Sequence, residues 1–161
     1  MTMLRRVLVT AALAAAGLLP ALSSAHTSAA AVSPGQPLRL RVLAWAKART
    51  SGLPYSWGGN GPGGYDCSGL VQAAYDAAGD PIPRTTNEML ASPKLIPVPR
   101  SQARLGDLAF YGDSHVELVD SGPAWLVQRT FGALEPGTLI GVHFPSSWWQ
   151  PSAYYKVRGA G

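Results

Sequence analysis

One thiol and one imidazole are the side chains of this sequence best suited to nucleophilic chemistry. Cys67 is the only cysteine among 161 residues, and His115 is one of three histidines. A thiolate is the reactive form of cysteine, and a histidine titrating near neutral pH can take the thiol proton. Of the other two, His26 lies in or beside a leader segment, and we interpret His143 as structural. Because His115 follows Cys67 by 48 residues (115 − 67), only folding can bring the two together.

The residues after Cys67 predict a helix that begins at the cysteine. Its apolar positions recur at helical spacing, and a glycine then offers a stop: Leu70, Val71, Ala74, Tyr75, Ala78 and Gly79. Asp66 can cap this helix by accepting hydrogen bonds from its free backbone N–H groups. A helix N-terminus favours an anion, so a thiol in the first turn should ionise more readily. The alternative for a lone cysteine is a buried apolar residue.

The first 31 residues predict a secretory signal peptide. Arg5 and Arg6 precede an apolar stretch from Val7 to Leu22 that is short for a membrane span. Small residues offer cleavage sites after Ala25 or Ala30. The sequence therefore predicts a secreted or cell-wall-associated protein with no membrane span once the signal is removed.

The rest of the chain predicts one domain. Residues 32–37 are typical of a short linker, and residues 38–161 are enough for a domain with a real core. The net charge is +4, and it is +2 without the two leader arginines (11 basic against 9 acidic residues). The chain has no run of Lys or Arg, which argues against nucleic-acid binding. A lone cysteine cannot form a disulfide within its chain, so in an exported protein it either has a chemical role or is buried.

Predicted helices come first and predicted strands follow. A helix is expected at Leu38–Thr50, and Thr85 or Thr86 can cap a short helix through Leu90, whereas proline-rich residues 92–102 predict irregular structure. Five short strands are expected at Asp107–Tyr111, His115–Asp120, Ala124–Phe131, Thr138–Val142 and Tyr154–Val157. The turn at 121–123 predicts an antiparallel hairpin. This order indicates an α+β fold rather than an alternating parallel one.

Five short motifs together resemble the NlpC family of cell-wall cysteine endopeptidases. In chain order they are PYSWGG (54–59), YDCSGLV (65–71), PRT (83–85), GDLAF (106–110) and SHV (114–116). The resemblance extends from about Leu38 to Val157. It implies a papain-like α+β fold, in which a cysteine-bearing helix packs on a five- or six-stranded antiparallel sheet that supplies the histidine.

The same resemblance implies an activity and roles for site residues. It implies hydrolysis of a peptide bond in bacterial peptidoglycan stems, of the type between D-glutamate and a diamino acid. Cys67 would be the nucleophile and His115 its base, while Tyr55 would lie beside the nucleophile and help the oxyanion site. Asp66 and Ser68 would line the substrate site. No metal or other cofactor is implied, the expected partner is the stem peptide, and we expect a monomer.

The residue that orients the imidazole is ambiguous in the sequence. The family places a His, Asn or Gln for this purpose on the strand after the catalytic histidine, as triad logic requires. We predict Gln128 for the role, although the segment 130–133 could occupy that place and would put Gly132 there instead. Glu117, where the family often has glycine, shares a strand face with His115. It is expected to pair with the imidazolium, to bind a substrate amine or to be solvated.

Two other functions remain open for the same fold. Because the third residue is in doubt, the domain could be a wall-binding module with weak or lost chemistry. It could also be an amidase or acyl transferase that uses the same nucleophile on another bond. The masses of the products from defined peptidoglycan fragments would separate these reactions.

Overall fold

The structure places three helices ahead of most of its strands. It is a computed structural model that describes residues 35–121 and 129–161. The helices are α1 (Leu38–Thr50), α2 (Cys67–Ala77) and α3 (Thr86–Ala91), and a 3₁₀ turn lies at Arg100–Gln102. The strands are β1 (Asn60–Gly61), β2 (Gly64–Tyr65), β3 (Leu95–Val98), β4 (Leu108–Tyr111), β5 (His115–Val119), β6 (Thr130–Gly132), β7 (Gly141–His143) and β8 (Ala153–Val157).

One six-stranded sheet carries the second half of the domain. Its order is β3-β8-β4-β5-β6-β7, and every neighbouring pair is antiparallel. Strands β1 and β2 form a separate small hairpin within the glycine-rich loop that precedes α2. The predicted α+β architecture, with a cysteine-bearing helix on an antiparallel sheet, is confirmed.

The main core lies between α2 and the central strand β5. Leu70 and Tyr75 of α2 are fully buried with Val116 and Leu118 of β5, in a cluster that also includes Phe131 of β6. Burying a large apolar side chain of this kind contributes roughly 1.5–3 kcal/mol. Alternation places His115, Glu117 and Val119 on the opposite face of β5, so the sheet turns its polar site residues away from this core.

The helix predictions were accurate because local signals determine helix ends. Helix α1 has the predicted bounds, Leu38–Thr50. Asp66 caps α2, and Thr85 forms a capping box with Glu88 at the start of α3. Gly79 follows α2 with a φ of 85°, a conformation that glycine adopts without strain.

The expectation of irregular structure at 92–102 is wrong. Residues 95–98 form β3, which pairs with β8 at one edge of the sheet. A proline inside a strand is tolerated at an edge, where its missing N–H deprives no second neighbour of a hydrogen bond, and Pro97 lies in such a strand.

Several predictions fall on residues that are not described. Residues 1–34 include the expected signal peptide and half of the expected linker, and both stay predictions. Residues 122–128 include Gln128 and most of the expected hairpin turn, although β5 and β6 do pair as antiparallel neighbours. Within 35–121 and 129–161, no helix combines the length and apolarity needed to cross a membrane.

Candidate active site

The nucleophile candidate is held at the first residue of α2. The Asp66 carboxylate accepts a hydrogen bond of 2.6 Å from the backbone N–H of Gly69, which fixes the helix start. The backbone of the preceding loop lies against the helix here, because a Cβ at Gly69 would be 2.1 Å from the carbonyl oxygen of Gly59. Cys67 is buried, with 8% of its surface exposed, and it borders the groove described below.

Arg84 ties the two neighbours of Cys67 together. Its guanidinium contacts both carboxylate oxygens of Asp66, at 3.0 and 2.6 Å, and the Ser68 hydroxyl at 2.9 Å. It also donates to the carbonyl of Gly59 at 3.3 Å. A forked guanidinium that meets a carboxylate with two bonds is both strong and directional. The loop, the cap and the first helical turn are thus joined by one cation.

His115 begins β5 beside the thiol. The Cys67 Sγ lies 4.0 Å from the carbonyl oxygen of Ser114, the residue just before His115. The thiol and the imidazole border the same groove, and each is close enough to shift the pKa of the other. The rings of Tyr111 and Trp149 lie against the imidazole, with centroids 5.3 and 5.5 Å away. The expected meeting of Cys67 and His115 across the fold is therefore present.

Behind the imidazole lies a buried carboxylate. The His115 Nε2 is 3.1 Å from Glu117 Oε1, and the same oxygen is 2.7 Å from His143 Nδ1. Glu117 is 0% exposed, so its carboxylate is not accessible to a substrate amine that enters from solvent. Of the sequence interpretations of Glu117, substrate binding and solvation are wrong because the side chain is enclosed, and the pairing with His115 is the contact observed.

These contacts favour the charged forms of the pair. Burial alone would lower the pKa of His115, but its hydrogen bonds to Cys67 and Glu117 outweigh burial and raise it to about 9. Burial alone would raise the pKa of the Cys67 thiol, yet the imidazole and the backbone N–H of Val116 bring it below its usual value. Burial opposes ionisation of Glu117 too, and the two histidines lower its pKa to about 2. The site is set up for a thiolate and an imidazolium.

A groove of about 760 Å³ opens over the thiol and the imidazole. Its walls come from the loop before α2, the start of α3, the turn before β5 and the segment after β6: Tyr55, Trp57, Gly58, Asp66, Cys67, Ser68, Arg84, Thr85, Thr86, Asn87, Asp113, Ser114, His115, Leu134, Glu135 and Pro136. Burial raises the pKa of the Tyr55 phenol, and the charges of Cys67 and Asp66 add to this, which places Tyr55 close to the nucleophile.

The structure brings most of the predicted site residues to one place. Tyr55, Asp66, Cys67, Ser68 and His115 all border the groove. Glu117 lies behind it, and Gln128 is outside the described residues.

Sequence reasoning missed the contacts of Arg84 and His143. Arg84 stands in one of the motifs that carry the family resemblance, so its motif was available as a signal. His143 gave no local signal, because its contact with Glu117 spans 26 residues.

Comparison with known proteins assigns the domain. A model of the NlpC/P60 family matches residues 52–138, which is 87 of 161 residues and more than half of the chain. The chain belongs to the NlpC/P60 family. The matched region begins before the glycine-rich loop, includes Cys67 and His115, and ends between β6 and β7.

Three NlpC/P60 relatives illustrate the range of the family. The chain is 50% identical over 62 residues to the murein DD-endopeptidase MepH of Escherichia coli, covering 37% of this chain and 23% of MepH. It is 45% identical over 65 residues to the bifunctional muramidase/DL-endopeptidase CwlT of Bacillus subtilis, covering 40% of this chain and 19% of CwlT. The solved structure of RipD from Mycobacterium tuberculosis, described as a non-catalytic NlpC/p60 domain protein adapted to peptidoglycan binding, superposes with a TM-score of 0.60. It is 28% identical, over 76% of this chain and 98% of RipD.

The match is to a domain within these longer relatives. The chain spans about a fifth of MepH and CwlT, so their names describe proteins with much sequence that this match does not reach. The likeness to RipD, by contrast, covers nearly all of that chain.

Proposed function

We propose that this protein is a secreted cysteine endopeptidase that hydrolyses peptide bonds in the stems of bacterial peptidoglycan. The observation that carries the proposal is the pairing of the Cys67 thiol, at a helix N-terminus, with an imidazole whose pKa is raised to about 9. Both groups border the same groove of about 760 Å³. Family membership supplies the substrate class.

In the first half of the proposed reaction, the Cys67 thiolate attacks the carbonyl carbon of the scissile bond. An S–C bond forms, and the carbonyl electrons move to the oxygen. Cys67 and Ser68 are the first two residues of α2, where backbone N–H groups have no acceptor within the helix, so these two donors can meet the oxyanion. One such donor is worth on the order of 3 kcal/mol of transition-state stabilisation. The His115 imidazolium then gives its proton to the leaving amine as the C–N bond breaks.

In the second half, water releases the acyl group. Neutral His115 takes a proton from a water molecule, whose oxygen attacks the thioester carbon. The S–C bond breaks, the thiolate is restored and the imidazolium is regenerated beside it. The proton balance over the cycle is zero, and every proton transfer uses the one imidazole.

We further propose that the bond cut lies between D-glutamate and the diamino acid of the stem. CwlT, a relative by sequence, is named a DL-endopeptidase, which is the stereochemical class of that bond. MepH is named a DD-endopeptidase, which cuts a different class of bond. Product masses from one defined fragment decide between them, because each cleavage leaves a different pair of peptides.

The experiment is digestion of purified disaccharide-tetrapeptide and its cross-linked dimer, followed by mass spectrometry. Wild-type protein should release the dipeptide and disaccharide-dipeptide products of the D-glutamyl bond, and Cys67→Ala should release nothing. Ser101→Ala, an exposed substitution in the 3₁₀ turn away from the groove, is the matched control and should retain full activity. Digestion by Cys67→Ala at the wild-type rate would remove the proposal.

Binding without cleavage is the second candidate function. The fold likeness to RipD, whose domain is described as non-catalytic, favours it. Sedimentation with insoluble peptidoglycan, combined with absence of products and a thiol no more reactive than free cysteine, would establish this role instead. Products cut at the amide bond between the sugar and the stem peptide would identify an amidase. Products in which the acyl group is joined to an added amine would identify an acyl transferase.

A further inference from the structure

Glu117 occupies an unusual place for an ionised group. It is fully buried in the middle of a six-stranded sheet, and its pKa is nevertheless lowered to about 2. A buried carboxylate is costly unless it is paired and hydrogen-bonded. Its Oε1 contacts two histidines, whereas Oε2 has no hydrogen-bond partner in the described part of the chain. The carboxylate therefore depends on those two imidazoles.

The neighbouring strand makes room for this carboxylate. The β5–β6 register pairs Leu118 with Phe131, which sets Glu117 across from Gly132. A Cβ at Gly132 would lie 2.7 Å from Glu117 Cγ and 3.0 Å from Cδ. The Glu117 side chain thus fills the volume that any side chain at 132 would need. The space between positions 117 and 132 therefore holds one side chain, that of Glu117 on β5.

A third strand reaches the same carboxylate. His143 of β7 pairs with Thr130 of β6, so it shares the sheet face of Glu117 but stands two strands away from it. Its imidazole crosses β6 because glycine stands at 132, and it meets Glu117 Oε1 at 2.7 Å, closer than His115 does. Among the described residues, the side-chain hydrogen bond of His143 goes to Glu117, and through that bond it acts on the site.

We propose that Glu117 orients the imidazole of His115 from within its own strand, and that His143 is a positioning residue that holds Glu117 in place. The site then runs Cys67, His115, Glu117, His143 across α2, β5 and β7. The proposal rests on the proposed peptidase function, which needs the imidazole aligned between thiol and leaving group. It replaces the sequence prediction of Gln128 with a residue two positions after the histidine.

We call Cys67, His115, Glu117 and His143 the relay. Within the described part of the chain, few charged or titratable groups lie next to it. Glu117 is faced by His115 from its own strand, by His143 from β7 and by the Tyr111 phenol from β4. Burial raises the pKa of Tyr111, whose hydroxyl is hydrogen-bonded to Thr130, so the phenol stays neutral through the working range. On its far side His115 faces Cys67, which in turn lies near Asp66. Loss of Glu117 or of its contact with His143 should therefore raise the pKa of the thiol.

The test uses the single thiol as its own reporter. The rate of alkylation by iodoacetamide is measured against pH for wild type, Glu117→Gln, His143→Leu and His143→Asn, together with kcat and KM on the disaccharide-tetrapeptide. An asparagine amide can place an N–H where Nδ1 stood, and leucine cannot. Val142→Thr is the matched control, because Val142 lies on the same strand, on the opposite face, and is 38% exposed.

Glu117→Gln should move the acid limb of the alkylation profile upward by about one pH unit, which lowers the rate at pH 6 about tenfold. His143→Leu should move it in the same direction by less and lower kcat about tenfold with little change in KM, since it acts on alignment. His143→Asn should recover most of the loss, and Val142→Thr should match wild type.

The proposal is overturned if folded Glu117→Gln or His143→Leu keeps the wild-type alkylation profile, or if His143→Asn is as impaired as His143→Leu. Should Glu117→Gln fail to fold, the two His143 variants still decide the matter. A wild-type protein that cuts no fragment but shows the expected shifts in thiol ionisation would end the proposed function and leave the relay standing. Cleavage with no shift would do the reverse.

Discussion

The proposed nucleophile, Cys67, and the proposed base, His115, are held in different ways. Cys67 is held at a helix start that the Asp66 carboxylate caps, with the backbone of the glycine loop against the first turn. The Arg84 guanidinium joins that cap to the loop. His115 is fixed by side chains in the interior, chiefly a carboxylate with 0% exposure. The backbone packed around Cys67 cannot move without disturbing the fold. The side chains around His115 can change position while the sheet keeps its structure.

This contrast separates stability from tuning. On the α2 side, a change that displaces the helix start displaces the loop with it, and the fold is damaged along with the site. On the β5 side, a change can weaken the hold on the imidazole while the sheet keeps its hydrogen bonds. The α2 side should therefore respond to mutation in stability and rate together, and the β5 side mainly in the pH dependence of the thiol.

The largest effect is expected from Gly69→Ala. The new Cβ would lie 2.1 Å from the Gly59 carbonyl oxygen, which is backbone and cannot swing aside. We expect the free energy of unfolding to fall by about 1–3 kcal/mol, as for overpacked cores, although alanine itself favours a helix by about 1 kcal/mol over glycine. Fragment cleavage should fall with it by more than tenfold, since the thiol moves.

The matched control for this change is Gly63→Ala, in the same loop, where a Cβ would meet nothing within 4 Å. Urea unfolding and cleavage kinetics measure both variants. A Gly69→Ala protein as stable and active as Gly63→Ala would show that the loop yields after all, and the comparison between the two sides would fail.

The same substitution on the other side, Gly132→Ala, should act differently. Its Cβ would meet the side chain of Glu117, which can move at the expense of its bond to His115. We expect kcat to fall on the order of tenfold or more, with a smaller loss of stability than in Gly69→Ala. Gly141→Ala is the control, because Gly141 pairs with Gly132 across β6 and β7 and its nearest atom would be 4.0 Å away.

A double variant sharpens this result. If the cost of Gly132→Ala comes through the carboxylate, then Glu117→Gln and Gly132→Ala should combine to much less than the product of their separate effects. Fully multiplicative effects would mean that the alanine distorts β6 independently of Glu117.

The sequence predicts the surroundings of Cys67 better than those of His115, because the former depend on neighbours in the chain and the latter on the pairing of distant strands. The helix at Cys67, its Asp66 cap and its end near Gly79 follow from neighbours within about four residues, so the motif contains nearly all of the information. Of the five expected strands, 107–111, 115–120 and 154–157 match β4, β5 and β8 closely, whereas the strand expected at 138–142 is found at Gly141–His143. The strand expected at 124–131 lies mostly outside the described residues, and only its end overlaps β6. The edge strand β3 is not predicted, because Pro97 within it and the prolines on either side favour irregular structure.

The base side depends on strand register, which no local pattern determines. That Gly132 stands across from Glu117 follows from the β5–β6 pairing, and that His143 reaches the same face follows from the β6–β7 pairing. A one-residue slip would turn each side chain to the other face of the sheet. The sequence analysis notes Gly132 and Glu117 separately. Only the structure shows that the side chain of Glu117 fills the space that glycine leaves at 132.

A smaller effect is expected in the stability of the protein in acid. Glu117 has a pKa of about 2 in the folded chain against an ordinary 4.5 when unfolded. A depressed pKa contributes stability that is fully present above 4.5 and is lost as pH falls toward 2. The free energy of unfolding should therefore decline over that window more steeply in wild type than in Glu117→Gln. Urea unfolding at intervals of half a pH unit measures it, and parallel curves for the two proteins would contradict the buried pairing.

The smallest expected effect is that of Arg84→Lys, on the nucleophile side. The guanidinium spans both oxygens of Asp66, the Ser68 hydroxyl and the Gly59 carbonyl, whereas an ammonium is a single point that cannot meet them all. Because the pair is partly exposed, we expect only about a threefold to fivefold loss in kcat/KM, the range of a partly screened ion pair.

The decisive readout for Arg84→Lys is the pH dependence rather than the rate. Its guanidinium acts through the helix start and has no contact with Glu117 or His143, so the thiol alkylation profile should keep the shape seen in Arg158→Lys, an exposed control. Residue 84 keeps its positive charge in Arg84→Lys and in the Arg158→Lys control. A profile displaced as far as that of Glu117→Gln would show that the two sides share one electrostatic network, and that the division between a backbone-held nucleophile and a side-chain-held base is wrong.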